Sequence, residues 1–274
     1  MGLRINTNVA ALNTARILRR NTSSLNQSLE RLSSGLRINR AADDAAGLAI
    51  AEGFRSQVRG SRVASRNSQD GISLVQTTEG ALTESTNILP LLIFLGLPPQ
   101  AANGTNSADN RGALDAEVQQ LLQQVDDIAL DTEFNGLRVL SAAQTVTIQA
   151  GPQPSQTLVV SVAGAKTSDL RISTVSVSSV GLAVSTISVV DQALQSINQL
   201  RSNLGALQNR LEFTINTLGI QEENAATSES AIRDADIAME TMEFTRNQIL
   251  VSAGTSVLAQ ANVIPQTALQ LLGG

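Results

Sequence analysis

Residues 187–218 read ISVVDQALQSINQLRSNLGALQNRLEFTINTL. Within this stretch Val190, Ile197, Leu204, Leu211 and Leu218 recur every seven residues, and Leu194 and Ile215 take the companion position. An apolar repeat of seven winds onto one seam of an α-helix. The spacing predicts a helix from about 187 to 228, packed in a bundle seam, with Arg201 and Gln208 interrupting the second stripe. Long helices rather than a sheet therefore organise the chain.

The two ends show helical spacing as well. Ile5, Val9 and Leu12 step by four and three, and Leu25, Leu29, Leu32 and Leu36 by four, three and four. They predict one apolar stripe on a helix over about 5–36, which Asn8 and Asn21 cap or interrupt and Gly35 stops. At the other end a last helix is expected over about 229–263. Its apolar marks are Ile232, Met239, Met242, Ile249, Leu250, Val257 and Leu258. Pro265 ends or kinks it, and Leu269, Leu271 and Leu272 form an apolar tail. The ends are oppositely charged. Residues 1–40 carry seven Arg (Arg4, Arg16, Arg19, Arg20, Arg31, Arg37, Arg40) against Glu30 alone. Residues 222–246 carry Glu222, Glu223, Glu229, Asp234, Asp236, Glu240 and Glu243 against Arg233 and Arg246. Each arm could partner the other, which points to an assembly protein rather than an enzyme.

Composition narrows the chemistry. The 274 residues include five Phe and no Trp, Tyr, His or Cys. Without aromatics to fill a thick core, Leu, Ile, Val and Ala must bury long, narrow seams. Lack of His removes the usual general base near neutral pH and a common metal ligand. Lack of Cys removes thiol nucleophiles, disulfides and thiolate metal sites. No acid pair stands out as catalytic, so neither catalytic residue, cofactor site nor metal site is assigned. The net charge is −5. The N-terminal Arg residues are spread around a helix without interleaved aromatics, which argues against nucleic acid as the partner. Residues 1–20 have no continuous apolar stretch and no small-residue cleavage site, so no secretory signal peptide is expected. Asn6 breaks the myristoylation pattern.

Between the arms, Asp43 and Asp44 suit a helix N-terminus. A long helix is expected from about 44 to 88, with Leu48, Val58, Ile72, Val75 and Leu82 on its buried side. Residues 88–99 (ILPLLIFLGLPP) break the pattern: Leu91–Leu95 are consecutively apolar and leave no polar face. The run is shorter than the roughly 20 residues that span a bilayer. It reads as a buried or interface segment, a membrane-touching loop or a local aberration of sequence. Pro90 can start or kink a helix there, and Pro98 and Pro99 stop one. Asn103-Gly104 and Asn110-Arg111-Gly112 bracket a loop, and a helix follows over about 112–130. Asn135-Gly136 signals a turn. Residues 145–150 and 157–162 alternate as strands around a 151–156 hairpin loop, and 170–177 is a candidate third strand. The fold class is mainly α: a long antiparallel helical bundle with coiled-coil arms from both termini and a small β-hairpin region in the middle.

Several blocks carry a specific resemblance. LSSGLRINRAADDAAGLAI (32–50), RINTNVAALN (4–13) and NSQDGISL (67–74) resemble the N-terminal signature of bacterial flagellins. TEFNG (132–136), LGALQNRLE (204–212), IRDAD (232–236) and LAQAN (258–262) are similar to the family's downstream blocks, in order. The resemblance covers nearly the whole chain.

It implies a structural subunit, a homopolymer of many copies that forms the extracellular flagellar filament for swimming motility. The terminal arms (1–44 plus 229–274) would form the filament core. A helical rod would comprise 45–139 plus 183–228. Residues 140–182 would replace the variable outer domain. The self-assembly arms would act through Ile5, Val9, Leu12, Leu25, Leu29, Leu32, Leu36, Ile249, Leu250, Val257 and Leu258. Val190, Ile197, Leu204, Leu211 and Leu218 would form the bundle seam. The family also implies an export chaperone on the C-terminal helix, hook-associated and cap proteins as partners, export without a cleaved signal, and no membrane insertion. One departure stands out. The family has a polar, Arg-bearing helical stretch where this chain has 88–99, and no Arg lies between Arg66 and Arg111. The Arg read by the animal innate immune receptor in some flagellins has no counterpart, which puts that recognition in doubt; Glu117 remains as a receptor-contact match. The alternatives are a hook–filament junction protein, which shares the arms, and a flagellin-like surface binding module.

Overall fold

The structure is a computed structural model describing residues 7–94 and 97–272, without the side chains of residues 93, 94, 97, 264, 265 and 268–272. Its elements are α1 (Val9–Ser34), α2 (Ala45–Phe94), α3 (Leu97–Ala102), α4 (Ala108–Asp131), β1 (Glu133–Phe134), β2 (Leu137–Arg138), β3 (Gln144–Gln149), β4 (Thr157–Val162), α5 (Val180–Arg233) and α6 (Ile237–Leu272). The chain is mainly α, as its heptads require. It divides into two compact units, residues 1–56 with 224–274 and residues 57–223. Ile5 lies outside the described residues.

The 57–223 unit is built on a single apolar core. From α2 come Ile72, Val75, Leu82, Leu89 and Leu92; from α4, Val118, Leu122 and Val125; from α5, Val190, Ile197, Leu204 and Leu211. All five members of the α5 heptad, Leu218 included, are buried. α5 is also the one described helix long and apolar enough to cross a membrane. Its apolar seam is accounted for by this core.

The apolar 88–99 run resolves into two elements. α2 continues to Phe94 with Pro90 inside it, six residues beyond the expected end. Leu89 and Leu92, three residues apart, turn into the core, whereas Leu91 is exposed. Pro98 and Pro99 do not stop a helix but fall in the first turn of α3. Missing N–H groups cost nothing there, because first-turn donors have no intrahelical partner.

Other boundaries moved for reasons of capping. α4 begins at Ala108 because the Ser107 side chain accepts from Asn110 N at 3.2 Å. Asn110, Arg111 and Gly112 are therefore helical, not loop. α5 begins at Val180, seven residues early, where Ala183 N donates to Ser179 O. Residues 229–233 complete α5, and the last helix starts at Ile237, where Asp236 Oδ1 accepts from Ala238 N and Met239 N. α6 then continues through position 265 to Leu272.

The β content is two antiparallel hairpins. β1 and β2 flank the Asn135-Gly136 turn, whose residues have φ of 52° and 77°. β3 and β4 pair in register from Gln144–Val162 to Gln149–Thr157. Their alternation turns Ile148, Leu158, Val160 and Val162 inward. The hairpin lies against α2: a Cβ on Gly71 would meet Ile148, and one on Gly60 would meet Pro152. Asn67 Nδ2 donates to Gln149 O at 3.2 Å.

The expected third strand at 170–177 is absent. Leu170, Ile172, Val175 and Val177 are buried, but the segment runs as turns. Its polar backbone is satisfied by side chains of α4 instead of by a neighbouring strand. Asp126 accepts from Thr167 N (2.7 Å) and Thr167 Oγ1 (2.8 Å). Asp115 accepts from Val177 N (2.7 Å), and Gln119 donates to Val175 O (2.8 Å). Alternating burial alone cannot distinguish these two solutions.

Candidate self-assembly arms

α1 and α6 pair antiparallel. Asn8 Nδ2 donates to Ala261 O at 2.7 Å, Leu18 faces Gly254, and Arg31 lies 3.6 Å from Glu240. Past the end of α1, Leu36 forms an antiparallel bridge with Asp234. On α1 one covered line runs through Ala11, Thr14, Leu18, Asn21, Leu25, Ser28 and Leu32, stepping three and four alternately, with Ala15, Ser24, Glu30 and Arg31 half-buried beside it. On α6 the covered line is Glu240, Phe244, Asn247, Val251, Gly254, Leu258 and Ala261, stepping four and three. Both are a/d seams. Ala, Gly, Ser, Thr and Asn make this seam thin, so the pair buries little apolar surface.

The sequence-derived arm residues therefore divide. Leu25, Leu32, Leu36 and Leu258 are half-buried. Val9 (62% exposed), Leu12, Leu29, Ile249 (63%), Leu250 and Val257 face outward, joined by Ile17, Met239 and Met242. The single stripe expected on the first helix is only partly covered: Leu25 and Leu32 lie in the seam, whereas Leu29, one step of four from Leu25 and at the edge of the same face, is 55% exposed. Ala11 and Leu18 complete the inward line, but the small and polar residues between them, Thr14, Asn21 and Ser28, hide the repeat in the sequence. α6 is apolar on several sides at once. A helix of that kind is buried in its working state, yet here only one stripe is covered.

Charge pairing between the ends is also more local than net charge suggested. Among the described residues Arg31–Glu240 is the one ion pair joining α1 to α6. The antiparallel register places Glu240 and Glu243 near the C-terminal end of α1, and no acid follows Glu243 in the sequence. Arg19 and Arg20 are exposed, and Arg16 donates to Asn13 of its own helix.

The 34–47 and 232–236 segments form a junction that explains much of the block LSSGLRINRAADDAAG. Gly35 ends α1 in the left-handed region (φ 71°), and its N–H reaches Arg31 O. A residue with a Cβ is strained there. Arg37 N donates to Arg233 O (2.6 Å), and Ala235 N donates to Gly35 O (2.9 Å). The Arg37 guanidinium donates to Ile232 O (2.6 and 3.2 Å), placing a cation on the last carbonyls of α5. Arg233 returns to Glu52 at 3.2 Å. Asp43 Oδ2 accepts from Arg40 N (2.9 Å) and Asn39 N (3.1 Å). Those backbone donors, Arg40 first, hold its carboxyl below its ordinary value. Asp44 accepts from Gly47 N and so opens α2. A Cβ on Gly47 would collide with Asp44. Of the two acids expected at the start of α2, Asp44 opens the helix and Asp43 braces the turn before it; nothing in the spacing marked Arg37 for the end of α5. In the other unit, Glu117 lies on an exposed face of α4 without an ion pair among the described residues.

An antiparallel pair of terminal helices with uncovered apolar faces, joined to a helical core with small hairpins, defines a coiled-coil assembly subunit. The comparisons with known proteins give the family. Residues 5–145 match the bacterial flagellin N-terminal helical region, and residues 187–272 match the bacterial flagellin C-terminal helical region. The chain is similar to a flagellin of Halalkalibacterium halodurans, 44% identical over 98% of this chain and 99% of that one. It is 42% identical to a flagellin of Bacillus subtilis, over 98% of this chain and the whole of that one. A flagellar filament 33 kDa core protein of Treponema phagedenis is 39% identical over 98% and 99%. The chain belongs to the bacterial flagellin family.

Proposed function

We propose that this chain is a subunit of the bacterial flagellar filament and polymerises through α1 and α6. One observation carries the reading. The α1–α6 seam is thin and leaves Val9, Leu12, Ile17, Leu29, Met239, Met242, Ile249, Leu250 and Val257 uncovered. Exposed apolar surface on that scale marks an interaction site, and neighbouring copies supply the cover. Ordering an arm costs about 1–2 kcal/mol per residue in backbone entropy. A monomer recovers little of that cost, so arm ordering and polymerisation are coupled. The names of the relatives, flagellin and filament core protein, agree with this role.

In this reading residues 1–44 and 229–274 form the filament core, 45–139 and 183–228 the rod, and 140–182 a reduced outer region. The protein works structurally and not as an enzyme. α6, apolar on several sides, is the surface an export chaperone would cover before assembly. Hook-associated and cap proteins, which must meet the same arms at the filament ends, complete the partner set. In this reading the filament stands outside the cell. Electron microscopy of the full chain with filament seeds tests this, beside Leu12→Glu and Ile249→Glu. The parent should form long filaments and both variants should remain monomeric. Filaments from both variants would overturn the role given to the arms.

A further inference from the structure

We propose that the outward face of α2 at Arg59, Val63 and Arg66 docks on the acidic outer stripe of α4, Glu117, Asp127 and Asp131, of a second copy of this chain; the proposal rests on the filament reading. All six residues belong to the 57–223 unit. Arg59, Val63 and Arg66 step by four and three, so they share one helix face, and all are exposed. Nearby Arg62 is already engaged by Glu222 at 2.6 Å. Arg59 and Arg66 have no hydrogen bond or ion pair among the described residues. Val63, 45% exposed, lies between them. An apolar centre flanked by Arg is the composition of an interface core and rim.

On α4, residues 117, 120, 124, 127 and 131 alternate steps of three and four on the side opposite Val118, Leu122 and Val125. They read Glu, Gln, Gln, Asp, Asp. The acids that serve the fold, Asp115 and Asp126, point to the 167–177 segment. Glu117, Asp127 and Asp131 have no base within the chain among the described residues. Thus one unit carries a basic stretch at 59–66 of α2, ended on the same face by the exposed Asp70, and on α4 an acidic face without a base among the described residues. A face that meets a different face of the next copy is a heterologous contact, and such contacts build open polymers. Charge complementarity of this kind sets register and rejects wrong alignments more than it adds affinity.

The test is charge reversal in the full chain, with seeded polymerisation as readout and far-UV circular dichroism of the monomer as folding control. Arg59→Glu/Arg66→Glu and, separately, Glu117→Arg/Asp127→Arg/Asp131→Arg should each raise the critical concentration by about tenfold or more, since like charges then face each other. The chain bearing both sets should polymerise close to the parent. Should the triple reversal lose helix content, Glu117→Gln/Asp127→Asn/Asp131→Asn replaces it and should weaken polymerisation without help from the Arg reversals. Parent-like polymerisation of either reversed set, or a combined chain no better than the single sets, would overturn the pairing while leaving the filament reading intact. Failure of the parent itself to polymerise would overturn both.

Discussion

Asn8 and Ala261 are 253 residues apart in sequence, and the Asn8 side-chain amide donates to the Ala261 carbonyl at 2.7 Å. The same Asn8 side chain caps α1 by accepting from Ala11 N at 3.0 Å. One residue thus starts the first helix and pins it to the last. Asn8→Ala should cost about 1 kcal/mol of local stability, the usual loss on removing a cap. Hydrogen exchange of the full chain checks this: amides of residues 9–12 should exchange faster, while those of α4 stay unchanged.

Asp43 supplies a pH dependence. Its carboxyl is held below the ordinary 3.8, chiefly by the Arg40 N–H and then the Asn39 N–H. A depressed carboxyl stabilises the folded junction fully above its unfolded value. The contribution fades as pH falls through 3.8 and is gone below the folded value. A carboxyl titration of the monomer by NMR should place Asp43 below 3.8. An Asp43 midpoint at or above 3.8 would contradict the assignment.

Leu211 and Phe213 invert the usual ranking by size. Leu211 is fully buried and Phe213 is 72% exposed. Leu211→Ala should destabilise the chain by about 2–5 kcal/mol, whereas Phe213→Ala should change it by less than about 0.5 kcal/mol. Denaturant melts of the monomer, read in the 57–223 core, separate the two.

Gly80 and Gly71 lie on the same helix and should respond oppositely to Ala. A Cβ at Gly80 meets nothing within 4 Å, so Gly80→Ala should stabilise α2 by up to about 1 kcal/mol. At Gly71 the added Cβ collides with the buried Ile148 side chain. Overpacking there should cost about 1–3 kcal/mol and loosen the β3–β4 hairpin. Thermal melts and exchange of the β4 amides report both.

Asp126→Ala should free the Thr167 N–H and hydroxyl, leaving partly buried donors unsatisfied at a cost of about 1–3 kcal/mol. Proteolysis between residues 163 and 179 should accelerate, with the helices still intact.

The sequence by itself determined the helical class, the α5 seam and the β3–β4 hairpin. Period seven and period two are intrinsic to the chain and survive without knowledge of any neighbour. Val190 through Leu218 could therefore be read as one line, and Gly35 as a stop. The arms were legible as helices, but not the division of their residues between inward and outward faces. That depends on which side of α1 meets α6, and a seam of Ala, Thr, Asn and Ser leaves little apolar signal to mark it. Tertiary structure alone decided that α4 side chains, not a third strand, satisfy the 167–177 backbone, and that Pro98 and Pro99 open α3. It alone paired Arg37 with the end of α5, because a hydrogen bond between residues 195 apart in sequence leaves no local periodicity to read.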